Sequence, residues 1–74
     1  MIENMIVRDP KVLLGKPIIK GTRISVELIM RKLASGYSVD QILSNYPHLN
    51  LTQIQACFEY TANVISGEEI VEFA

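Results

Sequence analysis

The stretch that most constrains this chain is Gly15-Lys16-Pro17-Ile18-Ile19-Lys20-Gly21-Thr22-Arg23-Ile24-Ser25, because the hydrophobic period changes across it. Before it, apolar residues come in short runs: Met5-Ile6-Val7 and Val12-Leu13-Leu14. After it, they recur at helical spacing. Within it, Pro17 fixes its own φ and biases Lys16 toward extended backbone. Ile18 and Ile19 are β-branched and favour a strand. Gly21 can turn with φ > 0, and Ser25 can cap a following helix. The pattern predicts strand, turn, short extended piece, helix start. Asp9-Pro10, Gly15 and Gly21 punctuate two or three short strands forming a small sheet or hairpin. So small a sheet must pack on helices or on another chain to be stable.

The first helix is expected from about Val26 to Ala34, with Ser25 as N-cap and Gly36 just past the end. Val26, Ile29, Met30 and Leu33 share one face, and Glu27 and Arg31 stand four apart in the favourable order. The second helix is expected from about Val39 to Asn45, opened by a Ser38/Gln41 capping box, with Ile42 and Leu43 facing the core. The third begins after Asn50, where Gln53 completes another box, and runs to about Ile65, stopping at Ser66-Gly67. It is unusually apolar. Ile54, Cys57, Phe58, Thr61 and Ile65 form one stripe, and Ala56, Tyr60 and Val64 a second. A helix of that kind is buried on most sides, and two short helices cannot cover it. We therefore expect a homodimer with the third helix at or near the interface, drawing on Phe58, Tyr60 and Val64. The apolar tail residues Ile70, Val71 and Phe73 would cross to a partner. The expected architecture is mainly α: a β element over 1–24, a three-helix, helix-turn-helix-like (homeodomain-like) bundle over 25–66, and a tail over 67–74, all one domain.

The size fits that reading. A chain of 74 residues buries only about 60% of its unfolded surface, so its core is marginal and a partner would help. No apolar run is long enough to span a membrane. The start Met1-Ile2-Glu3-Asn4 lacks the basic region of a signal peptide. A single cysteine, Cys57, leaves no internal disulfide and no cysteine-based zinc site. A reducing cytoplasm is the expected location. All seven Lys and Arg lie in the first 32 residues, against three acids, a net +4, while the remainder holds five acids and no base, a net −5. Such a split suggests different partners for each half, or two halves of a homodimer attracting one another.

Chemistry of an enzymatic kind finds little footing. His48, the only histidine, has no neighbouring ligand set and reads as a loop or cap residue. Cys57 reads as a small buried hydrophobe. Gly15-Lys16 lacks the rest of a phosphate loop. No enzyme, cofactor, metal or small-molecule substrate is expected. Nucleic-acid binding has more support. In a helix-turn-helix the second helix puts its first residues on base edges, here Asn50, Thr52, Gln53 and Gln55. Asn and Gln can pair bidentately with adenine. The two helices of that motif carry no Lys or Arg, so phosphate contacts must come from Lys16, Lys20, Arg23, Arg31 and Lys32, with Thr22 in the same turn. The alternative is structural: a solvated turn, with Arg23 paired to Asp9 or Glu27, and a third helix that serves only core and dimer.

One resemblance bears on this choice. Lys16 to Ile24, Gly36-Tyr37-Ser38, Gln41-Ile42-Leu43, Tyr46-Pro47-His48-Leu49, and then Ile54 and Ala56 resemble the motifs of a bacterial family catalogued as domain of unknown function four-three-three. The resemblance runs from about Ile6 to about Ala62, and the lysine-glycine-threonine-arginine turn is its most specific part. It departs at Asn50, where the family often has threonine, and at Thr52, where an acidic residue is common. The resemblance implies a helix-turn-helix-type fold and, for many members, an antitoxin role beside a PIN-type ribonuclease toxin. The function expected from it is operator binding through the basic half and toxin binding through the acidic half. The alternative is a homo-oligomeric interaction module with no DNA role.

Overall fold

A computed structural model describes residues 5–68. Two short strands, β1 (Ile6–Arg8) and β2 (Pro17–Ile19), pair antiparallel with Ile6 opposite Ile19, Val7 opposite Ile18 and Arg8 opposite Pro17. Three helices follow: α1 (Val26–Ala34), α2 (Val39–Asn45) and α3 (Leu51–Glu68). The protein is mainly helical with a short sheet at its start.

Local chemistry sets the helix ends. The Ser25 hydroxyl accepts from the Leu28 N–H at 2.9 Å, satisfying one unpaired donor of α1's first turn. At the other end Gly36 has φ +103°. Its N–H bonds to the Leu33 carbonyl at 3.1 Å, and the Tyr37 N–H to that of Lys32 at 3.0 Å. That pair of bonds is a Schellman closure, which needs the left-handed glycine. The expected capping box closes α2: the Gln41 N–H donates to Ser38 Oγ at 3.1 Å, and the Ser38 N–H to Gln41 Oε1 at 2.8 Å. Asn50 and Gln53 make the same reciprocal pair at 2.8 and 2.9 Å.

β2, the three helices and the turn before α3 build one core: Ile19, Val26, Ile29, Ile42, Leu49, Ile54 and Cys57. Ile6, Met30, Leu33, Leu43 and Tyr60 close over it. Here the small hairpin gains the support that two isolated strands lack. Ile19 is fully buried under α1, and Tyr60 of α3 accepts a hydrogen bond from Arg8 Nη2 at 3.0 Å.

The structure departs from expectation in two places. Val12-Leu13-Leu14 is not a strand; a single 3₁₀ turn occupies Leu13–Gly15. The carbonyls of Asp9, Val12 and Leu13 accept from the N–H groups of Val12, Gly15 and Lys16 at 2.8–3.2 Å, so these groups pair within the loop instead of along a strand ladder. Ser66-Gly67 does not stop α3, which continues to Glu68, since one glycine costs a helix only about 1 kcal/mol. Within one chain α3 is covered only in part: Ile54, Ala56 and Cys57 are buried, and Phe58 and every residue from Ala62 to Gly67 are exposed.

Candidate functional site

The turn at the centre of the sequence is built as a backbone device. The Thr22 N–H bonds to the Ile19 carbonyl at 3.0 Å across Lys20-Gly21, and Gly21 has φ +81°, the pattern of a type II turn. The Ile19 N–H bonds to the Ile24 carbonyl at 2.9 Å, and the Lys20 N–H to that of Met5 at 2.7 Å. Thr22 Oγ1 donates to the Ile19 carbonyl at 2.7 Å and accepts from the Ile24 N–H at 2.9 Å. The hydroxyl of Thr22, a DNA-contact candidate, is therefore occupied in holding the turn. Lys20 and Arg23 differ: both are exposed, and neither has a carboxylate partner among the described residues.

Arg23 does not pair with Asp9 or Glu27. Asp9 Oδ1 accepts from the Lys11 N–H at 2.9 Å. Glu27 is taken by other cations, with Lys16 Nζ on Oε1 and Arg31 Nε on Oε2, both at 2.9 Å. The Lys16 hydrogen bond first, and then that of Arg31, hold the Glu27 carboxyl below its ordinary pKa of 4.5. The expected Glu27–Arg31 pair is thus present, and Lys16 joins it from the turn. These charges are exposed, so each pair adds little stability. Lys32 lies with Nζ 4.6 Å from the centre of the Tyr37 ring, a cation–π contact.

At the start of α3, Asn50 and Gln53 use both side chain and backbone in the capping box. Reading a base would mean giving up that cap, which is typically worth about 1 kcal/mol. Thr52 and Gln55 are exposed and available. Tyr60 faces the core, and Val64 is 41% exposed beyond the core's end. Ile70, Val71 and Phe73 lie outside the described residues.

Two surfaces were not read from the sequence. The first is a seam on α3. Leu51, Phe58, Ala62 and Ile65 are all exposed, at 51%, 38% and 64% for the three large ones. They recur after seven, four and three residues, the spacing of a coiled-coil stripe, and run alongside the buried Ile54 and Cys57. The spacing is visible in the sequence, but the apolar core stripe beside it masks it.

The second surface is the Leu13-Leu14 turn. Leu13 has φ 50° and Leu14 φ 59°, followed by Gly15 at φ 82°. Two consecutive leucines in the left-handed region cost about 1–2 kcal/mol each. Leu14 is 95% exposed. Together with Lys16, Glu27, Leu28 and Arg31 the pair lines a groove of about 430 Å³. Among the described residues no three of His, Cys, Asp and Glu come together as a metal site would require. No helix among them is long and apolar enough to cross a membrane.

The fold and turn geometry can now be set beside known proteins. The model of a family described as Protein of unknown function (DUF433) matches residues 6–61. The chain belongs to the DUF433 family. A crystal structure of a DUF433 member protein from Anabaena variabilis ATCC 29413 superimposes with a TM-score of 0.81 at 28% identity, over 90% of this chain and 66% of that one. The "Uncharacterized protein y4eO" of Sinorhizobium fredii is 31% identical over 69 residues. That match takes in 92% of this chain but only 31% of the relative's length, so this DUF433 chain corresponds to about a third of that protein.

Proposed function

We propose that this DUF433 protein is a self-associating interaction module that pairs through α3. The observation that carries this reading is the exposed seam Leu51, Phe58, Ala62 and Ile65. A lone helix in water gains nothing from an apolar stripe facing away from its own core, whereas two copies packed along it would bury both stripes. A small domain has more reason than most to add buried surface in this way. The test is sedimentation of the native protein beside a Phe58→Glu/Ile65→Glu variant. The expected result is a dimer for the first and a folded monomer, with unchanged helical circular dichroism, for the second. A native monomer at tens of micromolar refutes the reading.

A second reading has its own observation. Lys20 and Arg23 flank a rigid turn and are unpaired among the described residues. A dimer would present two such turns, as an operator-binding antitoxin needs, with the acidic half left for a PIN-like toxin. Four phosphate contacts would give binding a slope of about −3.6 in log K against log salt. An electrophoretic shift with DNA from upstream of the gene, across a salt series, measures it. Lys20→Ala/Arg23→Ala should abolish the shift and leave the dimer's mass unchanged. An unchanged affinity would make the turn purely structural.

A further inference from the structure

We propose that the groove between the Leu13-Leu14 turn and α1 receives the segment Glu69-Ile70-Val71-Glu72-Phe73 of a second copy of this chain. The inference rests on the self-association reading only in that pairing through α3 brings the second copy close.

The groove has an apolar side and a cationic rim. Leu13, Leu14 and Leu28 form the first, and Leu14 is 95% exposed on a loop whose hydrogen bonds allow it no retreat. Its volume of about 430 Å³ falls within the usual range of ligand clefts, about 300–1,000 Å³. On the rim, Lys16 and Arg31 share the single carboxylate of Glu27, leaving one positive charge over. Arg31 uses only Nε for Glu27, so its two terminal amino groups have no partner among the described residues. That end of a guanidinium is the part that takes a carboxylate in a two-bond fork.

The occupant must therefore combine carboxylates with large apolar side chains and carry no cation. Residues 69–73 of this chain hold two glutamates with Ile70, Val71 and Phe73, and no Lys or Arg. In an extended segment, alternate residues share a face, so Glu69, Val71 and Phe73 would stand together. Val71 and Phe73 then match the leucines, and Glu69 matches Arg31. The net +4 and −5 of the chain's two parts favour the same head-to-tail exchange. Tethering through α3 would raise the local concentration of the segment and make weak contacts sufficient.

The experiment uses full chains with Cys57 left in place, since it is fully buried. One preparation carries Leu13→Cys, which keeps Leu14, and another, isotopically heavy, carries Ala74→Cys, which keeps Phe73. They are mixed, oxidised mildly, and the linked species identified by mass. The expected result is mixed light–heavy links severalfold above their statistical share. Adding Arg31→Glu to the first chain should abolish the excess, and Glu69→Lys on the second should restore it. A statistical distribution of links overturns the proposal. So does a chain carrying both cysteines that closes on itself at high dilution, which would make the occupant the same copy's tail. Sedimentation of the same samples keeps the two readings apart. A persistent dimer with statistical links refutes the groove and leaves the α3 seam, whereas a monomer that still forms mixed links refutes the seam and leaves the groove.

Discussion

Replacing Leu14 with glycine should stabilise this protein, although it deletes a large apolar side chain. Leu14 sits at φ 59°, ψ 31°, a region that costs a residue with a Cβ about 1–2 kcal/mol and glycine nothing. Its side chain is 95% exposed, so removing it forfeits almost no burial. The opposing effect is the extra freedom of glycine in the unfolded chain, about 0.4–1 kcal/mol. The difference leaves a gain centred on about 0.8 kcal/mol, with about 1.6 kcal/mol as the upper bound, or roughly 3–6 °C in Tm at the central value for a domain of this size. Thermal and urea unfolding by circular dichroism measure it, at concentrations low enough that no second copy occupies the groove. Leu14→Ala is the control. It keeps the Cβ and so the strain, and should change stability by less than about 0.5 kcal/mol, as exposed substitutions do. A Leu14→Gly variant no more stable than the Leu14→Ala control would refute the strain argument. It would mean either that the backbone relaxes at no cost or that Leu14 is packed in the native state.

Other consequences can be checked on the same footing. Ile54 is fully buried at the centre of the core, so Ile54→Ala should cost about 2–5 kcal/mol, and denaturant unfolding should show a small domain close to collapse. Thr22→Val removes both hydroxyl bonds of the central turn and should cost about 1–3 kcal/mol, read by the same unfolding curves with DNA affinity measured alongside. Glu27 has its pKa lowered below 4.5 by Lys16 and then Arg31. A carboxyl with a lowered folded pKa stabilises above its unfolded value and loses that contribution as pH falls through the folded one. The difference in Tm between native protein and Glu27→Gln should therefore be full near neutrality and shrink below about pH 4.5; a difference that grows in acid would contradict the ion-pair geometry. Burial pushes the Cys57 thiol up to about 11, so a thiol reagent at pH 8 should modify it only at the rate at which the domain opens.

What holds this fold together is a short list of isoleucines under a set of well-made helix ends. Ile19, Ile29, Ile42 and Ile54 are all fully buried, one from β2 and one from each helix. Because the core is that small, the fold depends on the hydrogen-bonded turn at Lys20-Gly21-Thr22 to bring β2 and α1 together. The same turn holds Lys20 and Arg23 out from the body, so any function they have is tied to the fold's integrity.

The sequence alone determined the helices wherever their ends are closed by residues within four positions. Ser25, Gly36, Ser38 with Gln41, and Asn50 with Gln53 each complete a hydrogen-bonded cap locally; α1 begins and ends, and α2 and α3 begin, where those residues say. The left-handed Gly21 was legible for the same reason. Tertiary structure decided what depends on distant neighbours. Val12-Leu13-Leu14 has the composition of a strand, yet it forms a loop held by three local backbone hydrogen bonds. Glu27 had several cations within sequence reach and took Lys16 and Arg31 because the turn and α1 place them there. Two apolar stripes run along α3. Only packing split the first of them, taking Ile54 and Cys57 into the core and leaving Phe58 and Ile65 outside with Leu51 and Ala62, since a helix's periodicity records which residues lie near one another on its surface but not where the cover of the rest of the chain ends.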